Sequence, residues 1–473
     1  MGSNGFDAGE FAAELQRIIK ATADAVSADG QVNPLVEKVF GHLGVEPTAV
    51  TAVTQEWQSW EHANVQRGVD AYVAECGSEP DWFGIAGAQR SGDDFIGLLT
   101  NARHNRWFEL GTVDYAAVAV GPEKSIEAVK LGLVNTTAPD GAPIVLCLRG
   151  PDMRFGNTQS CQLTVLAAER VTATVARERI EALMVEHDVY RGQVLSFGLS
   201  EYRGNELVTF LPRPHLNAAD VVLPDGVLDL IERHTVGIAE HGARLLAAGQ
   251  HVKRGLLLHG APGTGKTHTV RYLMGRLPDT TVIVISGTAM RMISAAAALA
   301  RRLQPSVVVV EDVDLVAKDR SYSPTGNPLL FSLLDAMDGI GGDSDVTFLL
   351  TTNRADELES ALADRPGRVD LAVEIPRPDA RGRAALLALY SSGLAVTADL
   401  GPIVTATAGQ TASFIKELLR RAALRAIAAR PQEQSVTVDD TDISAALAEM
   451  NEAASGLTRT LLGAPADSEG QPG

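Results

Sequence analysis

A chain of 473 residues is about three times a common ~150-residue domain, so two or three folded units are expected rather than one. Its 59 acidic against 41 basic side chains leave a formal charge of -18, which argues against chain-wide binding of nucleic acid or anionic lipid. No apolar run reaches the ~18 residues of a membrane span, the start MGSNGFDAGE lacks the basic and apolar regions of a secretory leader, and Cys76, Cys147 and Cys161 form no CxxC pair, which suits a reducing, cytoplasmic setting.

The chain opens with a helical pattern, Leu15, Ile18, Ile19, Ala23 and Val26 recurring on one face. Asn33-Pro34 then starts a short helix carrying Val39, Phe40 and Leu43, so residues 1–80 are expected to be a helical segment. From 81 to 215 short apolar runs such as Tyr115 to Val120 and Ile144 to Leu148 alternate with Gly and Pro around a helical stretch near Val165 to Glu186. That pattern reads as a mixed α/β domain suited to a substrate or adaptor. Trp57, Trp60, Trp82 and Trp107 all fall in this half; they suit a core better than a ligand-stacking platform. Nothing in residues 1–215 makes a catalytic constellation, and there is no HExxH.

Pro212 and Pro214 punctuate an expected linker. From 222 to 376 strands and helices alternate: Gly255 to His259, Thr281 to Ser286, Val307 to Val310 and Val346 to Thr351 are apolar, β-rich runs separated by helix-length sequence. This predicts a parallel sheet covered on both faces. Residues 377–455 are helical again (Arg381 to Tyr390, Ser413 to Arg430, Thr441 to Met450) and read as a lid, while 456–473 is expected to be disordered.

The chemistry gathers in the core. Gly260-Ala261-Pro262-Gly263-Thr264-Gly265-Lys266-Thr267 matches GxxxxGK[ST] between a strand and a helix. In that context backbone N–H groups cradle the β-phosphate, Lys266 reaches the β- and γ-phosphates, and the Thr267 hydroxyl can ligate Mg²⁺. The run Val307 to Val310 then delivers Glu311 and Asp312, by register a metal-side and a water-side carboxylate. Asn353 ends a third apolar strand, where it can be a turn former or a contact to the water and γ-phosphate. Arg365 and Arg368 flank a Pro-Gly turn, poorly placed for their own phosphate loop and suited to a neighbour's, as arginine fingers acting in trans.

The order GAPGTGKT, VVVVEDVD, LLDAMDGI, LLTTNRADEL and ALADRPGRVD, spread over Val222 to Met450, resembles the AAA family of ATPases within the AAA+ class. The resemblance implies a P-loop NTPase sheet with a helical lid behind a mixed α/β N-terminal domain. It also implies ATP and Mg²⁺ as ligands, and a homo-oligomeric, usually hexameric ring that remodels a protein selected through its N-terminal domain, as chaperones and unfoldases do. It casts Gly260 to Thr267 as Walker A, Glu311 and Asp312 as Walker B, Asn353 as sensor 1, and Arg365 and Arg368 as fingers. A GTPase is disfavoured by the lack of NKxD.

Three departures stand out. The Glu-Asp order, reversed from the usual one, is similar to the mitochondrial Rieske-protein translocase branch. Gly287 to Pro305 is short and lacks an aromatic pore loop, leaving Met290, Met292 and Ile293 to project into a pore or fill a core. Asp364 lengthens the segment before Arg365 by one residue. These departures keep a rival in play, an ATP-gated assembly scaffold with slow hydrolysis.

Overall fold

The computed structural model describes residues 14, 16–18, 21, 33–77, 80–87, 95–97, 99, 108–151, 160–199, 206–314, 328–354, 368–431 and 435–452. Of the five apolar positions read for the first predicted helix only Ile18 falls among them; Trp107, Asp364, Arg365 and residues 456–473 lie outside. The chain divides into two units, residues 1–189 with 203–207, and residues 190–202 with 208–473.

The first unit is built on an antiparallel sheet of β1 (Thr51–Gln58), β2 (Trp82–Ala86), β3 (Glu109–Gly111), β4 (Asp114–Ala119), β5 (Ser125–Thr137), β6 (Pro143–Arg149) and β7 (Ser160–Ala167), in the order β1-β7-β6-β5-β2-β3 with β4 on β5. Side chains alternate across the pleat, and in β6 both sets are apolar. Ile144, Leu146 and Leu148 pack under helices His62–Glu75 and Arg170–Glu186. Val145 and Cys147 face the opposite way, against helix Pro34–Leu43. Asn33 caps that last helix through the Leu35 N–H.

Two expectations are corrected here. Residues 1–80 are not a helical segment, because Thr51–Gln58 pairs along its whole length with β7. An alternation of Val53, Gln55 and Trp57 with exposed residues is a period of two, which outweighs the helical spacing on either side. The predicted helical stretch also starts later, at Arg170, since Val165 belongs to β7.

The second unit carries a sheet in the order β14-β10-β13-β12-β11-β8-β9. Its members are β8 (Val194–Leu199), β9 (Glu206–Leu211), β10 (Arg254–His259), β11 (Thr281–Ile285), β12 (Ser306–Val310), β13 (Val346–Thr352) and β14 (Leu371–Glu374). The strands from β14 to β8 run parallel. Every residue of β12 and β13 is buried, and each fully buried Val or Leu contributes ~1.5–3 kcal/mol. The expected boundary near 215 is displaced to Val189/Tyr190. Prolines 212 and 214 follow the edge strand β9 rather than open a linker between the units.

The lid has its own core. Leu386 and Leu387 of helix Ala380–Tyr390 pack on Ile415, Leu418 and Ala422 of helix Ala412–Ala429. Helix Asp440–Glu452 closes it through Ile443 and Ala446. Among the described residues no helix is long and apolar enough to cross a membrane.

Candidate functional site

In a parallel sheet all strand C-termini share one edge, and there three of the predicted elements meet. The phosphate loop follows β10, the acidic pair follows β12, and Asn353 follows β13, which lies between those two strands. Strand order therefore sets Asn353 between the loop and the acids.

The loop needs its glycines. Gly260 has φ 140°, and a Cβ there would come within 2.3 Å of the Ile375 carbonyl oxygen. Gly263 (φ 78°) and Gly265 (φ 113°) are also left-handed, conformations that side chains resist. The loop then opens helix Lys266–Arg276, whose first N–H groups have no partner one turn back. The lid closes onto it: the Ser413 N–H donates to the Gly263 oxygen at 3.1 Å.

Lys266 is buried, and its Nζ donates to Gly260 O at 2.9 Å, Ala261 O at 3.0 Å and Asn353 Oδ1 at 2.8 Å. Burial lowers its pKa, while Asp312 and Asp314 oppose that shift. The amide of Asn353 continues the chain, donating from Nδ2 to Asp312 Oδ1 at 3.1 Å. The orientation follows from chemistry, because an ammonium offers only donors and a carboxylate only acceptors. Glu311 turns instead toward the Thr267 side chain, which works against the rise in its carboxyl pKa. Its carboxyl is pushed above the ordinary value chiefly by burial, with Asp312 adding to the rise and Arg271 opposing it. A carboxylate and a hydroxyl meeting at the edge of a phosphate loop suit Mg²⁺, a hard cation that takes few protein oxygens.

Asp312 has φ 51°, the one positive value at a non-glycine among the described residues. That conformation is held by neighbours: the Asp312 N–H donates to Thr351 Oγ1 at 3.0 Å and the Val313 N–H to the Thr351 carbonyl at 2.9 Å. Strain over-determined in this way is characteristic of functional sites. Asp314, which sequence reasoning passed over, is buried beside this turn and accepts from Thr352 Oγ1 and from the Asn353 N–H, both at 3.1 Å. The available signal was its place two residues past Asp312, in the turn that follows an apolar strand.

A cavity of about 280 Å³ adjoins the loop at Thr264, between Val222 and Leu223 on one side and Pro376, Leu386 and Ala412 on the other. Its lining mixes apolar side chains with the polar Thr264, Asp225, Asp379 and Arg381, and its volume is of the order a planar base needs. Asp225 and Arg381 form an ion pair at 2.7 Å in that lining.

Arg368 lies at the opposite edge of the sheet. Its backbone abuts Gly255 so closely that a Cβ there would fall 1.9 Å from the Arg368 oxygen. Gly255 is five residues before Gly260 on β10, ~17 Å away at strand rise, well beyond an arginine's reach to its own loop. The guanidinium is buried and paired with Asp338 through Nε at 2.9 Å and Nη2 at 2.6 Å. Within this chain a bidentate partner one helix away holds Arg368, a contact the sequence reading did not include. Of the two readings left open for the segment after β11, pore or core, the side chains take the core. Met290, Met292 and Ile293 are 5%, 3% and 1% exposed, all in the core.

The geometry agrees with the comparisons. Residues 256–377 match the family described as ATPase family associated with various cellular activities (AAA). The chain is 32% identical over 206 residues to the proteasome-activating nucleotidase of Methanosphaerula palustris, covering 40% of this chain and 49% of that protein. It is 32% identical over 265 residues to an ATP-dependent zinc metalloprotease FtsH of Synechococcus sp., covering 52% and 40%. With FtsH of Mycobacterium tuberculosis the identity is 30% over 249 residues, 49% and 32% of the two chains. The chain thus spans less than half the length of these relatives. With its Gly-rich loop, paired acids and strand-end asparagine on one sheet edge, the chain carries an ATPase domain of the AAA family over residues 256–377.

Proposed function

We propose that this protein hydrolyses ATP and uses the cycle to remodel a protein substrate as a homo-oligomeric, hexameric ring. The observation that carries the reading is the chain Lys266–Asn353–Asp312 beside Glu311 and Thr267. The base would enter the cavity at Thr264 and the phosphates the loop Gly260 to Thr267, where Lys266 offsets β- and γ-phosphate charge. Glu311 and Thr267 would hold Mg²⁺, which supplies charge neutralisation across the β- and γ-phosphates when bound. Asp312 would polarise the water that attacks the γ-phosphorus in line as the bond to the β-phosphate oxygen breaks. Asn353, joined to Lys266 and Asp312, keeps the two in register.

The remaining groups belong to the neighbouring protomer. Arg368, remote from its own loop, is proposed as a finger for the adjoining site, with Arg365 in the same role. The first unit, with no catalytic constellation in its sequence, is proposed to select the protein substrate or adaptor. Burial of Met290, Met292 and Ile293 supports a remodelling mode that does not use these residues to grip an unfolded strand. The test is phosphate release by the purified protein with Lys266→Ala and Asp312→Asn beside it. Lys266→Ala should lose both nucleotide binding and turnover, and Asp312→Asn should bind ATP without turnover. Equal turnover in all three would sink the reading.

A further inference from the structure

We infer that Asp314 is a positioning residue for ATP hydrolysis, acting through Asn353; the inference rests on the hydrolytic reading above. Asp314 has 4% exposure, and burying a carboxylate is costly unless its partners are well placed. Both partners of its Oδ1 come from the end of β13, the Thr352 hydroxyl and the Asn353 N–H. That is where the strand's ladder stops and its last backbone groups lose their regular acceptors. The next residue uses the same joint, the Arg354 N–H donating to Thr352 Oγ1 at 3.0 Å. Asp314 therefore clamps the backbone from which the Asn353 side chain reaches both Lys266 and Asp312.

The clamp is one side of a reciprocal joint. Thr351 fixes Asp312 from the strand side, through the N–H of Asp312 to its hydroxyl and the N–H of Val313 to its carbonyl. Asp314 fixes Asn353 from the turn side. Two adjacent strand ends thus set each other's functional side chains, and removing Asp314 releases only the Asn353 half. A shift of Asn353 on the order of 1 Å is enough to cost ~10²-fold in rate. The loop Gly260 to Thr267 keeps its own glycine geometry, so ATP binding should change little.

Steady-state phosphate release and fluorescent-nucleotide binding test this on the full chain, with melting curves to confirm that each variant is folded. Asp314→Ala should lower kcat on the order of 10²-fold with KM and nucleotide Kd within a few-fold. Asp314→Asn, which keeps an oxygen acceptor, should recover most of the loss. In a double-mutant cycle Asp314→Ala combined with Asn353→Ala should fall within about threefold of Asn353→Ala alone, because both remove one device. Multiplicative losses, or an unchanged kcat in folded Asp314→Ala, overturn the inference. If Asp314→Ala does not fold, the cycle is run with Thr352→Val, which removes one of the two donors, and the same outcomes decide. A wild type that binds ATP yet releases no phosphate overturns the hydrolytic reading and this one with it. Normal wild-type turnover with additive variants overturns this one alone.

Discussion

Replacing Arg368 with alanine separates two jobs that one guanidinium can do. In the isolated chain it holds Asp338, with side-chain exposures of 6% for the arginine and 44% for the aspartate. Because the carboxylate stands half in water, the pair itself is worth no more than ~1 kcal/mol, and loss of the buried stem adds about as much. A cost of ~2 kcal/mol lowers Tm by about 4–8 °C in a unit of this size and leaves a protein of ordinary stability folded. Loss of an arginine finger is of another order, ~10³-fold or more in kcat, equivalent to ~4 kcal/mol of transition-state stabilisation. Calorimetry and phosphate release should therefore disagree for Arg368→Ala, with a modest melting shift and near-complete loss of turnover. The decisive assay mixes it with Lys266→Ala, each inactive alone. In a randomly mixed ring about a quarter of the interfaces pair an intact loop with an intact arginine, so activity should return. Mixed assemblies that form and stay inactive would refute action in trans, and a loss of turnover that tracks unfolding would refute any catalytic role for Arg368.

Three further outcomes follow from the geometry. Burial raises the Glu311 carboxyl above the ordinary 4.5, and Mg²⁺ must displace its proton. The half-saturating Mg²⁺ concentration for turnover should therefore climb as pH falls toward that raised value and flatten above it; a pH-independent requirement would remove Glu311 from the metal. Gly265→Ala meets no atom within 4 Å and suffers only its φ of 113°, a strain of ~1–3 kcal/mol. Gly260→Ala adds a clash with the Ile375 carbonyl, so it should melt at the lower temperature of the two, and the reverse order would contradict the loop geometry. In the first unit, Gly150 lies against His62, whose ring atom would stand 2.5 Å from an added Cβ. Gly150→Ala should therefore lower Tm by displacing a buried ring that is bonded to the Val129 oxygen at 2.8 Å, while leaving nucleotide binding by the second unit intact.

What could be read from the chain was what is local. A phosphate loop is eight consecutive residues whose glycines and lysine serve one purpose, and the valine run before Glu311 can only be a buried strand. Strand order is not local. That β13 inserts between β10 and β12 depends on packing across the whole sheet, and it alone turns Asn353 from a plausible turn former into the bridge from Lys266 to Asp312. The partner of Arg368 was hidden for the same reason: Asp338 lies 30 residues earlier in the chain. Met290, Met292 and Ile293 could not be assigned from type alone, since the same apolar side chains serve a pore or a core.

The reversed acidic pair is where local and long-range information combine. Along a strand successive side chains alternate sides, so two adjacent acids leaving β12 with extended backbone would diverge across the sheet. The left-handed turn at Asp312 breaks that alternation, held by Thr351 on the neighbouring strand. Glu311 then reaches Thr267 while Asp312 stays bonded to Asn353. In the proposed mechanism the longer acid serves the metal and the shorter the water, and the backbone, rather than side-chain length, makes up the difference. Thr351→Val, which removes the hydroxyl that accepts from Asp312, should therefore cut kcat while sparing ATP affinity. Normal turnover in that variant would mean that the turn holds itself without the neighbouring strand.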